Sequence, residues 1–571
     1  MRNRRALFCI VTALACFFSG SAAARESVLP QPAEESLKAT EQEMAWWREA
    51  RFGISIRWGV GIEKRHAPWA NKTDPAYWAK LSENLAGVKK FDATEWIKVV
   101  KDSGAQYVIF ATSHDSSMQL RPGGNFCLWD TQTTGNKITF ATSPFKRDVC
   151  KDIADAAHKA GIKLVWAVSG QAGKSVDELL TNYGKISGVV YDGVLTDEGL
   201  TYKDVLRKMR KLQPGIITNG RIKGNARDID YDIVQHDVPL PGWHTRPVEV
   251  ATTLREGHWY WDKPNPTVKS LEQIIHLLVR CAGEGANLTI NLAPAPSGAI
   301  ERNEAARARE IGGWLKKYGQ TVRGTSPGPY LPAEWGVATR KANTIYIHML
   351  KDVDKGVLRL GALNMRIVKA TLLTGGKVTL KQTKDAVLIT VPKLNVKTTD
   401  TIIALELAGP AAGAKVVRPS AKSLTAGKAA TAEHVFYWPA SGITKAMNGP
   451  LSAVDGKLDT GWCSRPATRE QSDQPRWLEV DLGAPVEVAS GLVAASRALG
   501  SSPKAIQAFV VQYKKGDEWV TCFDSKTILG VALMRWTHQI KFAPVTARHF
   551  RLGVRGRNTY IREFQLFAAG S

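Results

Sequence analysis

Short apolar runs and longer amphipathic segments alternate along the first half of the chain. One amphipathic segment places Val149, Ile153 and Ala160 on a single helical face. Repeated strand–helix units over this length predict an α/β fold, a parallel (β/α)8-like barrel that we place at residues 36–322. Strands are predicted at 52–59, 107–111, 162–168, 189–191, 216–218 and 287–291, and helices at 36–50, 93–103, 147–160, 176–183, 202–212, 270–281 and 305–318.

A different periodicity begins after Gly319. Single apolar and polar residues alternate in runs such as 344–349, with Gly and Lys-Asp turns between them, which is typical of half-buried strands. Residues 326–408 are therefore predicted to form a small β-sandwich. Residues 409–431 are rich in Ala, Gly, Lys and Pro and are predicted to be a linker. Residues 432–571 are predicted to form a second all-β unit.

The first residues have the pattern of a secretory signal peptide. Arg2, Arg4 and Arg5 precede an apolar run, and small residues follow it at 19–24. Residues 1–24 are therefore predicted to be a signal peptide that exports the protein to the periplasm or the extracellular space. No later stretch is long and apolar enough to predict a membrane span.

The composition limits the choice of partners. The 571 residues suggest about three domains. The formal net charge of +24 is compatible with an anionic partner such as a sulfated glycan, because basic surfaces concentrate polyanions. Solubility is the alternative reason for the charge. No nucleic-acid-binding motif accompanies it, so no nucleic-acid partner is expected.

Five of the seven cysteines lie beyond the predicted signal peptide. An odd, sparse set predicts no disulfide framework, although Cys463 and Cys522 are candidates for one bridge. None of the cysteines has metal-ligand spacing, so no cofactor is expected for catalysis.

One apolar run ends abruptly at Asp192, and Asp197 and Glu198 follow it closely. In a parallel barrel, carboxylates at the carboxyl ends of strands belong to the active-site face. The competing interpretation is an ordinary helix-capping turn, which uses the same residue types.

Polar residues follow other predicted strands as well. This arrangement suits a small polar substrate held at the barrel mouth and attacked by a carboxylate with help from a proton donor. Aromatic side chains near the mouth, such as Trp58 and Trp259, are candidates for stacking on a sugar ring or for packing loop cores. The polar groups at predicted strand ends are Arg57, His114 with Asp115, Asp192, Asn219 with Arg221, and Gln235 with Asp237; further aromatic candidates are Trp243 and Tyr260.

Across residues 40–408 the order of these motifs resembles glycoside hydrolase family 29, the α-L-fucosidases. The matching segments are Arg51-Phe52-Gly53 to Arg57-Trp58-Gly59, Ser113-His114-Asp115, Val190-Tyr191-Asp192-Gly193, Leu212-Gln213-Pro214 to Asn219-Gly220-Arg221, residues 230–235, and residues 285–294.

The resemblance implies a retaining exo-glycosidase. Asp192 would be the nucleophile that forms a glycosyl-enzyme ester, which water then hydrolyses. His114, Arg221 and Trp259 match family positions that contact the sugar, and Arg57 and Trp58 occupy a substrate-binding motif.

The chain departs from the family pattern at several positions. The family usually has His at the positions of Arg57 and Ser113, and a sugar-binding Tyr where this chain has Ala167. Gln235 stands where the acid/base Glu is usual. An amide cannot protonate a leaving oxygen, and general acid catalysis is worth about 10²–10⁴-fold. Other carboxyl groups are candidates for the acid: Asp237, Asp197, Glu198 and Glu249.

The C-terminal unit resembles a discoidin-like F5/8 type C domain, of which family 32 carbohydrate-binding modules are one branch. The resemblance rests on residues 453–462, residues 477–483 and Arg562-Glu563-Phe564. Related modules hold a structural Ca²⁺, and Asp455, Thr460 and Glu563 match the ligand positions; oxygen ligands suit this hard ion. The alternative is that Asp455-Gly456 is only a turn.

Three functions follow from the sequence. The first is an exported α-L-fucosidase-like hydrolase that acts on a terminal fucosyl or related sugar. The second is a non-catalytic or weakly active glycan-binding protein, which Gln235, Arg57 and Ser113 favour. The third, a polyanion-binding adhesin, leaves Asp192 unexplained.

Overall fold

The computed structural model describes most of the chain from Leu37 onward. The predicted signal peptide lies outside the described residues. Among these residues, no helix has the length and apolar character needed to cross a membrane. The described residues are 37–59, 83–112, 127–132, 141, 143–168, 172–191, 201–219, 230–235, 247–256, 258–333, 335–351, 356–391, 399–417, 423–435, 448–457, 460–464, 474–497, 508–525, 537–555 and 559–569.

Eight parallel strands form the first sheet, which confirms the predicted barrel. A parallel bridge between Asn219 and Tyr231 joins the two ends of the sheet, so the sheet closes on itself. All eight strands therefore end on the same side of the barrel. The strands are β1 (Phe52–Ile56), β2 (Tyr107–Ala111), β3 (Lys163–Val168), β4 (Gly188–Tyr191), β5 (Ile217–Thr218), β6 (Asp232–Gln235), β7 (Val248–Thr253) and β8 (Asn287–Leu292).

Helices connect these strands, and side chains cap several of them. Asp92 accepts hydrogen bonds from the backbone N–H groups of Thr94 and Glu95. Ser270 and Gln273 form a reciprocal capping box. Each such cap contributes about 1 kcal/mol to the helix that it begins. The helices are α1 (Glu41–Ala50), α2 (Ala93–Asp102), α3 (Val149–Ala160), α4 (Ala172–Thr181), α5 (Tyr202–Leu212), α6 (Leu271–Gly283) and α7 (Arg302–Tyr318).

Two barrel strands, β6 and β7, were given no bounds from the sequence, although a strand was expected to end at Gln235. β7 carries Glu249 as its second residue, and β6 begins with Asp232. A charged residue inside so short a segment interrupts the apolar run by which a buried parallel strand is recognised. The bounds of β7 therefore emerge only from its pairing with β8, and those of β6 only from its pairing with β7.

Large side chains fill the amino-terminal end of the barrel interior. Trp47 from α1 packs on Tyr231, with ring centroids 4.7 Å apart. The Tyr107 ring lies against Gly53, where a Cβ atom would sit 2.4 Å from the ring. A glycine is therefore required in β1 if Tyr107 is to occupy the interior. Helix α1 thus closes this end of the barrel.

Glu249 is buried in this closed end. The Tyr107 hydroxyl donates to its Oε2 at 2.7 Å, and the Trp47 Nε1–H donates to the same oxygen at 3.3 Å. The other oxygen, Oε1, has no hydrogen-bond partner among the described residues. Burial raises the pKa of Glu249 from 4.5 to about 7, although the hydrogen bonds from Tyr107, Thr289 and Trp47 act in the opposite direction.

Two antiparallel sheets enclose the next core and form a β-sandwich. Buried His348 connects the sandwich to the barrel, because its Nδ1 lies 2.7 Å from Asp400 Oδ2 and its Nε2 lies 3.4 Å from the Thr321 carbonyl. The first sheet contains β9 (Ser326–Pro327), β10 (Gly336–Lys341), β11 (Thr344–Met349), β13 (Ile367–Leu372) and β16 (Thr401–Leu407), and the second contains β12 (Val357–Gly361), β14 (Thr379–Gln382) and β15 (Ala386–Thr390).

The C-terminal unit is an all-β module whose long strands bend. β19 pairs with β22 at its start and with both β22 and β23 after register shifts near Val486 and Ser490, so its second half is an interior strand of the sheet. Its core is a single apolar cluster. The strands are β17 (Ala429–Ala432), β18 (Trp462–Ser464), β19 (Arg476–Arg497), β20 (Ala508–Lys515), β21 (Glu518–Asp524), β22 (Thr537–Arg555) and β23 (Thr559–Ala568).

The C-terminal module begins inside the predicted linker. Buried Thr425 donates to the Phe564 carbonyl at 2.7 Å, and the Leu424 N–H donates to Leu566 at 2.8 Å. β17 then pairs with β19. The last residues of the predicted linker therefore belong to the folded module, because backbone hydrogen bonds hold them there. Their segment is rich in Ala and Lys but is not a solvated linker throughout.

The candidate bridge between Cys463 and Cys522 is wrong. Both cysteines are free. Cys463 lies in β18 and Cys522 in β21, and these strands are the opposite ends of the hydrogen-bonded strand order.

Glu249 predicts a dependence of stability on pH. The pKa of Glu249 is higher in the folded protein than in the unfolded chain, so the folded state binds more protons between about pH 4.5 and 7. The stabilisation is complete below the unfolded pKa and is lost as the pH rises through about 7. Glu249→Gln lacks this titration, so its free energy of unfolding should rise relative to that of wild type as the pH increases. We expect this difference to grow by up to about 3 kcal/mol from pH 5 to pH 8.

Urea unfolding of both proteins at the two pH values measures this difference. Glu256→Gln is the control, because Glu256 is an exposed carboxylate just beyond the same strand. Parallel pH profiles for wild type and Glu249→Gln would rule out the proposed linkage.

Candidate active site

The structure describes only part of the predicted site. Arg57, Trp58 and Trp259 are described in full, and the backbone of Gln235 pairs with Ala251 in β6 and β7. The remaining predicted catalytic and sugar-contacting positions lie outside the described residues: Asp192, His114, Arg221, Asp237, Ser113, Asp197 and Glu198. Their roles stay predictions.

Arg57 and Trp259 meet at the carboxyl ends of the strands. Arg57 follows β1, and its backbone N–H donates to Leu292 at 3.1 Å. Its guanidinium carbon lies 5.2 Å from the centroid of the Trp259 ring. Asn291 of β8 donates to the Trp259 carbonyl at 2.6 Å. A cation–π contact of this kind is worth about 0.5–2 kcal/mol, so these residues form one wall of the barrel mouth.

Trp58 packs beneath this wall. Its side chain is fully buried, and its Nε1–H donates to the Ala295 carbonyl at 2.8 Å. Its ring stacks on Phe91 at 5.5 Å and meets Trp96 edge-on. The packing alternative considered for such aromatics therefore describes Trp58 in this structure, and a contact with substrate stays a prediction.

Ala167 lies near the carboxyl end of β3. It is buried within the apolar cluster that lines the barrel interior. Its carbonyl accepts hydrogen bonds from Thr112 N–H at 3.0 Å and Thr112 Oγ1–H at 3.1 Å. A methyl group at this position supplies no hydroxyl, so any sugar hydroxyl on this side would need another partner.

Glu249 lies at the other end of the barrel. It is the second residue of β7 and pairs with Asn287 at the beginning of β8. The strand continues four residues further toward the mouth, to Thr253, which is about 13 Å at the usual rise per residue. The prediction that Glu249 is a candidate acid is therefore wrong, because the register of β7 points it into the closed end.

Two buried carboxylates that the sequence reasoning missed anchor segments beside the mouth. Glu178 of α4 accepts hydrogen bonds from Trp129 Nε1–H at 2.9 Å, Thr131 Oγ1–H at 2.6 Å and Gln132 N–H at 2.7 Å. Leu128 N–H donates to the Thr112 carbonyl at 2.9 Å. The segment that contains His114 in the chain is thus fixed at both of its ends.

The second carboxylate is Glu304 of α7. It forms a buried ion pair with Arg255 at 2.9 Å, and Arg255 also reaches Asp262 at 2.7 Å and the Ala293 carbonyl at 3.0 Å. Burial raises the pKa of Glu304, and Arg255 opposes that shift. This network holds the segment of Trp259. No local signal could have found it, since the partners are up to 49 residues apart.

The candidate calcium ligands of the C-terminal module lie close together. Thr460 Oγ1–H lies 2.9 and 2.8 Å from the two carboxylate oxygens of Asp455. Glu563 Oε1 accepts from Gly456 N–H at 3.1 Å, while its Oε2 is buried with no hydrogen-bond partner among the described residues. Burial raises the pKa of Glu563 to about 8, and the charge of Asp455 adds to this effect.

This arrangement fits a hard cation. A buried carboxylate oxygen without a donor, facing the charge of a second carboxylate, is stabilised when a cation is bound between them. Within the described part of the chain, no three His, Cys, Asp or Glu side chains converge as a metal site. An ion here would therefore complete its shell with carbonyl, hydroxyl or water oxygens.

Comparison with known families gives two matches. The alpha-L-fucosidase family model matches residues 17–175 and 170–320, which together are more than half of the 571 residues. The F5/8 type C domain model matches residues 430–564. The two matches cover the barrel and the C-terminal module.

Individual relatives are similar at low identity. Human plasma alpha-L-fucosidase is 25% identical over 391 residues, which cover 58% of this chain and 80% of that protein. The structure of an alpha-L-fucosidase from Vibrio sp. strain EJY3 covers 92% of this chain and 98% of its own, with a TM-score of 0.62 and 15% identity.

A glycoside hydrolase family 29 alpha-L-fucosidase of Bacteroides thetaiotaomicron was solved as a trapped covalent intermediate with 2-fluoro-fucosyl fluoride. It has a TM-score of 0.55 and 24% identity, and covers 65% of this chain and 97% of its own. At these identities the structural matches establish the fold alone.

Proposed function

The chain belongs to the alpha-L-fucosidase family of glycoside hydrolases, and we propose that it is an exported, retaining exo-glycosidase that removes terminal α-L-fucosyl or closely related sugars from glycans. The observation that carries the proposal is the coincidence of the family match with a closed parallel barrel in which Asp192 directly follows β4. The predicted signal peptide supports export.

The packing of β4 supports Asp192 as the nucleophile. Val190 belongs to the apolar cluster inside the barrel, whereas Tyr191 packs outward and its hydroxyl donates to Met209 Sδ of α5 at 3.1 Å. Side chains alternate along a strand. If this alternation continues beyond β4, it predicts an inward-facing position for the next residue in the chain, Asp192.

The proposed reaction has two steps. The Asp192 carboxylate attacks the anomeric carbon as the leaving oxygen departs, and an ester joins the sugar to the protein. Water then attacks the same carbon and restores the carboxylate. Retention of the anomeric configuration requires the second catalytic carboxyl group to lie about 5–5.5 Å from the first. The trapped covalent intermediate of the Bacteroides relative is consistent with this route.

The acid/base role falls to a residue other than the one at the usual family position. Gln235 cannot supply a proton, and Glu249 faces the closed end of the barrel. We propose Asp237 as the first candidate, since it follows β6 by two residues on the mouth side. Asp197 and Glu198, which follow β4 in the chain, are the other candidates.

A second function has specific support. A glycan-binding protein with little or no catalysis would explain both Gln235 and Ala167, which remove an acid and a sugar-binding hydroxyl from family positions. The net charge of +24 and the Arg57 guanidinium at the mouth favour an anionic glycan, such as a sulfated one, in either case.

Substrates with different leaving groups distinguish the two functions. If Asp192 works without an acid, nitrophenyl α-L-fucoside should be hydrolysed, because its leaving oxygen needs little protonation, and natural fucosides should react far more slowly. Gln235→Glu should then raise the rate on natural fucosides by up to about 10²–10⁴-fold, and much less on the aryl substrate. Asp192→Ala should abolish both activities. Product NMR gives the anomer and kinetics the rates.

Asp155→Asn is the matched control, since Asp155 is an exposed carboxylate that pairs only with Lys151 on α3 among the described residues. Fast cleavage of natural fucosides by wild type would mean that another residue is the acid, and Asp237→Asn, Asp197→Asn and Glu198→Gln would identify it. Glycan binding without turnover of any substrate would favour the second function.

We also propose that the C-terminal module binds a structural Ca²⁺ through Asp455, Thr460 and Glu563. The support is the buried Glu563 oxygen without a donor, together with the nearby Asp455 carboxylate. The module would present glycans to the barrel, as the resemblance to carbohydrate-binding modules implies.

Calorimetry of the full chain tests the ion site. A ligand that binds only the folded state raises stability by about 2.7 kcal/mol at 100 times its dissociation constant. Millimolar Ca²⁺ should therefore raise the unfolding temperature relative to chelator, and Glu563→Gln should remove this response. Thr521→Val is the control, because Thr521 is exposed on β21 of the same module. Identical melting of wild type with Ca²⁺ and with chelator would refute the site.

A further inference from the structure

The ladder between β4 and β5 ends two residues before the end of β4. Only Gly188 with Ile217 and Val189 with Thr218 are paired. The next residue, Asn219, bridges to Tyr231, just before β6, on the other edge of β5, and its backbone has no ladder partner in β4 within the described residues. The β5 backbone thus leaves the β4 ladder after Val189, so that in the described part of the chain this ladder does not extend to Val190 and Tyr191.

Beyond the end of this ladder, the side chain of Asn219 hydrogen-bonds to the β4 backbone. Its Oδ1 accepts a hydrogen bond from Tyr191 N–H at 2.8 Å, and its Nδ2–H donates to the Tyr191 carbonyl at 3.2 Å. Asn219 and Tyr191 are both buried. A primary amide carries a donor and an acceptor side by side, as a peptide group does. The Asn219 side chain therefore extends the pairing with β4 as far as Tyr191.

We propose that Asn219 is a positioning residue for the nucleophile. The Tyr191 carbonyl belongs to the planar peptide group that connects Tyr191 to Asp192. Fixing both polar atoms of Tyr191 fixes the orientation of that peptide plane, and hence the direction in which the Asp192 residue leaves the strand. A misplacement of about 1 Å at a reacting group can cost about 10²-fold in rate. The inference rests on the proposed role of Asp192 as nucleophile.

The pair of hydrogen bonds between the Asn219 side chain and the Tyr191 backbone, which we call the clamp, is itself held on both sides. Buried Asp230 accepts from Thr218 N–H at 2.7 Å and from the guanidinium of Arg210 at 2.9 and 2.7 Å, so the residue before Asn219 is fixed. The Tyr191 hydroxyl is fixed on Met209. Asn219 therefore connects two rigid points, which is the requirement for a positioning contact.

Asn219→Asp tests the donor half of the clamp. At neutral pH the introduced carboxylate accepts from Tyr191 N–H but cannot donate to the Tyr191 carbonyl. We expect kcat on nitrophenyl α-L-fucoside, and the rate of covalent labelling of Asp192 by 2-fluoro-fucosyl fluoride, to fall by about 100-fold. KM should change little, because the sugar contacts remain. Lowering the pH protonates the introduced carboxyl and restores a donor, so kcat relative to wild type should recover.

Thr218→Val is the matched control. Thr218 is equally buried in β5, and its Oγ1–H donates to the Val189 carbonyl of β4 at 3.0 Å. This variant also removes a buried hydrogen bond from β5 to β4, but three residues before Asp192. It should lose stability while its kcat and its labelling rate stay close to wild type.

Each outcome decides the proposal. If wild type labels at Asp192 and Asn219→Asp labels equally fast, the positioning role is overturned alone. Equal losses of kcat in Asn219→Asp and Thr218→Val, without recovery at low pH, would also overturn it. If wild type neither turns over nor labels at Asp192, the proposed function falls and the positioning role falls with it. Should Asn219→Asp not fold, Asn219→Ala replaces it, with circular dichroism as the test of folding and the same expected loss.

Discussion

The closure of the barrel between β5 and β6 is the constraint on which the site depends. A parallel barrel must satisfy its backbone polar groups at every seam, yet β5 contributes only two residues to the sheet. Side chains supply what the ladder lacks: Asp230 accepts from the backbone of Ala39 and Thr218, and Asn219 clamps Tyr191. β5 is thus held by side-chain groups on both of its edges, Asp230 on the β6 side and Asn219 on the β4 side, where β4 leads to Asp192.

The two ends of the barrel differ: the amino-terminal end is closed by packed side chains, and the carboxyl end is a polar mouth. At the amino-terminal end, α1, Tyr107 and Trp47 fill the interior and leave Glu249 in a site that disfavours its charge. At the carboxyl end, Arg57 and Trp259 form a wall whose supports come from β8 and from the Arg255 ion-pair network. Packing at one end allows the other to remain a polar mouth, because the core does not need to extend through the whole barrel.

The two β modules serve the barrel differently. The sandwich is connected to it through buried His348, Asp400 and Thr321, so its contribution to the barrel is one of stability. The C-terminal module has a core of its own and a polar cluster around Glu563 that suits a cation. Separate family models match the barrel and the C-terminal module.

The sequence by itself determined the barrel, the all-β units after Gly319 and the polar character of the strand ends, because strand and helix periodicities are local and repeat many times. It missed β7, since Glu249 interrupts the apolar run, and it gave β6 no bounds beyond an expected end at Gln235. Tertiary structure alone decided that Glu249 faces the closed end, that Trp58 is buried and that Asn219 holds Tyr191. These outcomes depend on strand register and on partners distant in the chain, such as Tyr107 for Glu249, 142 residues away. Because the sequence assigned no bounds to β7, it could not show that Glu249 lies at the amino-terminal end of that strand.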